Sequence, residues 1–141
     1  MIGPLVVVLD SSVAISWYVG GPSSERAREV VPDSNAVYAA SDQLLTDVVD
    51  AMQRSGAYTT QEMLAATERL RADLVLEPIS AKMLKAATAW MVHYDLPLQA
   101  LLPLALAREA GAPLLTCDTA TVDRLREAGA TELLKDIVLL S

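Results

Sequence analysis

Two segments of the chain are built alike. In "VVVLDSSVA", Val6 to Ala14, an apolar run ends on Asp10 and passes into Ser11 and Ser12. In "APLLTCDTA", Ala112 to Ala120, an apolar run ends through Thr116 and Cys117 on Asp118, followed by Thr119. A carboxylate at such a boundary has two uses. It can cap the helix that follows, which Asp does well. Alternatively, two such carboxylates brought together repel each other unless a proton or a metal neutralises them. Hard oxygen donors of this kind suit Mg²⁺ or Mn²⁺. A third acid, Asp47, sits in "LLTDVVDAM", at the edge of an apolar stripe made by Leu44, Leu45, Val48 and Met52. Asp50 shares roughly its face. Spacing alone reads both as a solvated helical face, and Asp47 as the one nearer the core.

The elements that must carry these residues alternate. Leu5 to Leu9 is a continuous, valine-rich run, the pattern of a central parallel strand covered on both faces. A helix is expected from Ser12 to about Val19, stopped by Gly20 and Gly21, and another from Pro22 to about Val31 with a serine N-cap. Pro32 to Asn35 reads as a turn and Ala36 to Ala40 as a short strand. Leu44 to Met52 is helical, broken over Arg54 to Ala57. Thr59 and Glu62 form a capping box for a helix to about Arg71. Leu74 to Leu76 is a strand, and Ser80 caps a helix from Ala81 to about His93. After Asp95-Leu96-Pro97 a helix runs from about Leu98 to Ala110, with Gly111 as its stop. Pro113 to Thr116 is a strand, Thr119 to Ala128 a helix, and Asp136 to Leu140 a last strand. This alternation predicts a three-layer α/β fold with a mostly parallel sheet, whose ligands bind at the carboxyl ends of the strands. Asp10 and Asp118 both fall at such ends.

Composition narrows the function classes. The 141 residues suit one domain, residues 1–141, with a proper core. The chain is 52% hydrophobic, yet its longest apolar runs fall far short of the roughly 20 residues of a membrane span. Met1 to Leu9 lacks the basic region of a signal peptide. A lone cysteine, Cys117, points to a reducing, cytoplasmic setting. The net charge of −7 argues against coating nucleic acid by bulk electrostatics, although a metal-assisted grip with a few local arginines stays open.

Taken together, these segments resemble the PIN-domain proteins, in particular the VapC toxins of VapBC-type toxin–antitoxin pairs. "VVVLDSSVAISWYVGGPSSERAREV" is similar to the family's opening, "LLTDVVDAM" to the segment that usually carries a glutamate, and "DLPLQALLPLALAREAGAPLLTCD" to the late segment ending in Thr-x-Asp. The resemblance covers nearly the whole chain in order. It implies an α/β/α sandwich that gathers acids around Mg²⁺ or Mn²⁺ and hydrolyses RNA. On that resemblance Asp10 is the central ligand, Asp47 stands where the family has Glu, and Asp118 is the late acid. Ser12 and Thr116 support them. Typical PIN toxins are homodimers and bind an antitoxin protein.

Three departures fall at the site. The resemblance implies a third acid opening the helix before the last acid-bearing strand, and the residue there is Ala100; Asp95, the nearest acid, comes five positions too early. Pro103 stands inside the expected helix, where it removes a donor and costs about 3 kcal/mol, so a late start or a kink is expected. Asp47 is one methylene shorter than Glu. The expectation is a PIN-like domain with weakened or lost nuclease activity. The alternatives are an active ribonuclease using Asp10, Asp47 and Asp118, or a scaffold that binds RNA or protein without catalysis. Other enzymes fit worse. A haloacid-dehalogenase-type phosphatase wants a second Asp where Ser12 stands, and a response-regulator receiver wants a lysine that "LLTCD" lacks. His93 reads as a helix-end residue, Trp17, Tyr18 and Trp90 as core, and Arg26, Arg28, Arg54 and Arg108 as surface cations with phosphate contact as the lesser option.

Overall fold

The valine-rich opening run becomes the middle strand of a five-stranded sheet. The computed structural model describes residues 5–20 and 36–140. In chain order the elements are β1 (Leu5–Leu9), α1 (Ser11–Tyr18), β2 (Ala36–Ser41), α2 (Gln43–Ser55), α3 (Thr60–Asp73), β3 (Val75–Glu77), α4 (Ala81–Tyr94), α5 (Leu98–Ala110), β4 (Leu114–Thr116), α6 (Thr119–Glu127), α7 (Thr131–Leu134) and β5 (Ile137–Leu139). The helix expected over Pro22 to Val31 and the turn over Pro32 to Asn35 lie outside the described residues.

The strand order is β3-β2-β1-β4-β5 and every pairing is parallel, rather than mostly so. Successive residues of a strand face opposite sides, and each side has its own core. Val8, Ala39 and Leu114 pack with α4, α5, α6 and α7 through Met83, Leu101, Leu104, Leu125 and Leu133. Leu9 and Ala40 pack with α1, α2 and α3 through Val13, Leu44, Val48, Met52 and Leu70. The result is a helix–sheet–helix sandwich. Only the second half of β1 is covered as its apolar run implies: Leu5 is 60% exposed and Leu9 is 1% exposed. Leu5, Val6 and Val7 pair with β2 alone, whereas β4 joins only at Val8.

The helix boundaries follow local chemistry. Thr59 and Glu62 form the full capping box of α3, each side chain bonded to the other's backbone N–H. Ser80 Oγ accepts the Met83 N–H at the start of α4. Gly111 closes α5 at φ 64°, a left-handed conformation that glycine takes without steric cost. The short α7 has no capping side chain and no counterpart among the elements expected from the sequence.

Pro103 does not delay α5: the helix starts at Leu98 and runs uninterrupted to Ala110 with the proline inside it. Pro103 lies just past its first turn, so the lost donor frees only the carbonyl of Gln99, an exposed residue where water can bond instead. Leu101 to Ala107 are all buried, every one but Pro103 in the core shared with the sheet and α4, and that burial holds the helix whatever its local propensity.

Helix α3 is held more thinly, with Ala66 and Leu70 its buried residues. Leu70→Ala should therefore cost about 2–5 kcal/mol of folding stability, read as a lower urea midpoint at unchanged slope. An unchanged midpoint would show that α3 is not anchored by this contact.

Candidate metal centre

The sheet order reverses between β1 and β4. From β1 the chain moves outward to β2 and β3, then returns to place β4 on the other flank of β1. In open α/β sheets the crevice beyond the carboxyl ends at such a reversal is where ligands bind. Asp10 directly follows β1, and Asp118 follows β4 with Cys117 between. The register brings them together, because the Asp10 N–H donates to the Leu115 carbonyl at 2.9 Å and so sets Asp10 beside Thr116.

Thr116 links the two acids. Its hydroxyl donates to Asp10 Oδ2 at 2.8 Å and accepts the Asp118 N–H at 3.0 Å. Ser12 Oγ donates to the same Asp10 Oδ2 at 2.5 Å, accepts the Cys117 N–H at 2.8 Å and lies 3.3 Å from Thr116 Oγ1. Asp10 is 8% exposed and Thr116 4%. Burial pushes the Asp10 carboxyl above its ordinary value. The hydroxyl bonds from Ser12 and Thr116 pull the other way, and the charge of Asp118 adds to the rise.

The two strand-end acids resolve the capping question differently. Asp10 precedes α1 but makes no side-chain cap bond. Asp118 does cap: Oδ1 accepts the Thr121 N–H at 3.1 Å and Oδ2 accepts the Thr121 hydroxyl at 2.6 Å. Sequence reasoning misses Thr121, although the Asp-x-x-Thr spacing is that of a cap with a second donor.

Ala100 faces this pair. It lines a small cavity with Asp10, Thr116, Asp118 and Thr121, closed by Leu101, Leu104 and Leu125 among others. Asp47 is half-buried and stands apart from them. It lines a second small cavity with Ser11, Ser41, Gln43 and Pro103, and Gln43 Nε2 donates to its Oδ2 at 3.5 Å. Leu9 also lines that cavity, so Asp47 lies near the end of β1 without lining the cavity that Asp10, Ala100 and Asp118 share. Asp50 is turned outward and pairs with Arg54 at 3.3 Å. Asp95 is 95% exposed at its side chain, pairs with Arg124 at 3.6 Å, and takes no part in the site. Arg108 is engaged by Asp136 at 3.1 Å, and His93 stacks edge-on against Tyr94. Arg26 and Arg28 lie outside the described residues.

Among the described residues no three His, Cys, Asp or Glu side chains are grouped to hold a metal ion. The two carboxylates that do meet still fit a divalent cation in kind. Mg²⁺ is usually bound through one or two carboxylates with several waters retained. A buried, hydroxyl-oriented Asp10 with an adjacent Asp118 offers that donor set at its smallest. No helix among the described residues is long and apolar enough to cross a membrane.

Three solved structures share the fold at low identity. VapC20 of Mycobacterium tuberculosis, a sarcin-ricin loop cleaving toxin, is 19% identical over 74% of this chain and 83% of that one, with a TM-score of 0.62. A toxin–antitoxin complex from Klebsiella pneumoniae is 19% identical over 80% and 87%, with a TM-score of 0.61. VapBC2 from Rickettsia felis, bound to a DNA fragment from its promoter, is 15% identical over 85% and 92%, with a TM-score of 0.64. No curated protein matches the chain in sequence at a significant level. The PIN domain family model matches residues 7–128, a span that holds the end of β1 with Asp10, β4 and Asp118, and the Ala100 helix between them, so the chain belongs to the PIN domain family.

Proposed function

We propose that this PIN domain is a VapC-like ribonuclease scaffold whose metal-dependent RNA cleavage is weakened or lost. The observation that carries the reading is the placement of Ala100, which lines one cavity with Asp10, Thr116, Asp118 and Thr121. A methyl group thus faces two carboxylates where the family resemblance implies a third. A bound Mg²⁺ or Mn²⁺ supplies charge for the scissile phosphate and acidifies a water. Asp10 and Asp118 hold that cation, and Asp47 adds negative charge from the neighbouring cavity. Ser12 and Thr116 orient the Asp10 carboxylate by donating to its Oδ2. Loss of a partner that merely orients a ligand costs about 10–100-fold in affinity or activity. Loss of a carboxylate in direct reach costs at least as much.

On this reading the substrate class is RNA, the protein partner an antitoxin, the assembly a homodimer and the compartment the cytoplasm. The similar Klebsiella toxin–antitoxin complex and Rickettsia VapBC2 support the antitoxin part. The test is cleavage of a mixed single-stranded RNA panel in Mg²⁺ and in Mn²⁺ by the native chain, Asp10→Ala and Ala100→Asp. The expected result is little or no cutting by the native chain and metal-dependent cutting by Ala100→Asp. Native cutting that vanishes in Asp10→Ala would instead mean that the acids present suffice. Silence from every variant would leave a scaffold that binds without catalysis.

A further inference from the structure

We propose that Thr121 is a positioning residue for the cation, a role that rests on the metal-site reading above and extends it to a residue outside the acid set. The observation is the asymmetry between the two carboxylates. Asp10 receives both of its hydroxyl bonds, from Ser12 and Thr116, on one oxygen, Oδ2. Asp118 has one bond on each oxygen, and both come from Thr121: the backbone N–H on Oδ1 and the hydroxyl on Oδ2.

The amide alone would cap α6, and any residue at position 121 other than proline supplies it. The hydroxyl does something the cap does not need. With a donor on each oxygen, the plane of the Asp118 carboxylate is fixed about its last bond. Without the hydroxyl, Oδ2 is free to swing, and the like charge of Asp10 favours its swinging away. A carboxylate has about four lone-pair sites. The two bonds to Thr121 use two of these, and the others would serve a cation held between Asp118 and Asp10. Thr121 also lines the cavity shared with Asp10, Ala100 and Asp118, so its hydroxyl acts within the site itself. Partners of this kind, which orient a ligating carboxylate by hydrogen bonding, govern metal affinity.

Thr121→Val keeps the shape, the β-branch and the capping amide and removes the hydroxyl. Thr121→Ser keeps the hydroxyl. Mn²⁺ affinity, read from the loss of the free-ion EPR signal, should fall about 10-fold in Thr121→Val and stay near the parent value in Thr121→Ser. The measurement is made on the full chain in both the native and the Ala100→Asp backgrounds, with Asp10→Ala as the control for the site. Melting in EDTA is recorded alongside. A lower melting temperature in Thr121→Val with unchanged Mn²⁺ affinity would reduce Thr121 to a helix cap and overturn the proposal, while Mn²⁺ binding that depends on Asp10 would keep the metal-site reading standing. If neither background binds Mn²⁺, the metal-site reading falls and the role of Thr121 falls with it.

Discussion

Asp10→Asn is expected to melt above the native chain in EDTA and to lose its response to Mn²⁺. Asp10 is buried at 8% exposure, with Asp118 adjacent, and burial raises its carboxyl above the ordinary 3.8. An acid whose folded value lies above its unfolded one stabilises the fold below the unfolded value. That stability is lost as pH rises through the folded value. Above the ordinary carboxyl range, burying this acid therefore costs the metal-free native chain stability. Asparagine removes the charge and keeps the oxygen that accepts from Ser12 and Thr116. The expected result is a melting temperature above that of the native chain, and for a chain of this length each gain of about 1 kcal/mol would raise it by about 4 °C. The gap between variant and native chain should close as pH falls towards the ordinary carboxyl value, where Asp10 is protonated in both states. Saturating Mn²⁺ should raise the native melting temperature and leave Asp10→Asn unmoved. If Asp10→Asn melts below the native chain in EDTA at every pH, the charge of Asp10 is not the burden described, and the hydroxyl bonds to the carboxylate outweigh its burial.

Why such a charge stays at the end of β1 was half legible in the sequence. The two similar segments around Asp10 and Asp118, and the alternation of strands and helices, suffice to place both acids at strand ends. The register that joins them is a tertiary fact, set by β4 pairing beside β1 at Val8 and Leu9. The position of Ala100 was legible because α5 is bounded by Leu98 and Gly111, and the helix runs between those limits. Pro103 argues locally for a late start, which the burial of Leu101 to Ala107 overrides. Asp47 shows the limit of helical spacing. Its stripe residues Leu44, Leu45, Val48 and Met52 are buried as expected. The pattern could not tell what the acid would sit beside: it lines a cavity with Ser11 and Pro103, not the one that Asp10 and Asp118 share. Thr121 escaped notice because a hydroxyl three residues after a capping acid looks like ordinary helix chemistry until Ala100 is seen across from it.

Ala100→Asp should behave in the opposite sense to Asp10→Asn. Position 100 is the third residue of α5, in the first turn, where a carboxylate is favoured by the helix dipole by about 0.3–1 kcal/mol. Nothing acidic occupies that turn in the native chain. The new side chain would also face Asp10 and Asp118 across their shared cavity, where a third negative charge meets two others. In EDTA the repulsion should exceed the dipole gain, and the variant should melt below the native chain. A divalent cation reverses the balance, because three converging carboxylates hold it more tightly than two. At a concentration of about 100 times the dissociation constant, a ligand that binds only the folded state adds about 2.7 kcal/mol. The Mn²⁺-induced rise in melting temperature should therefore be larger in Ala100→Asp than in the native chain, and absent when Asp10→Ala is added. Cleavage of RNA should rise at least about 10-fold with it, the smallest effect expected for a missing ligand. A variant that melts lower in EDTA but responds to Mn²⁺ no more than the native chain would place Ala100 beside the acids without placing a cation between them. The weakened-nuclease reading would then fall with the metal that motivates it. A larger Mn²⁺ response with no cutting would separate the two steps instead: the carboxylates would suffice to hold the ion, and the deficit would lie in how RNA is presented to it.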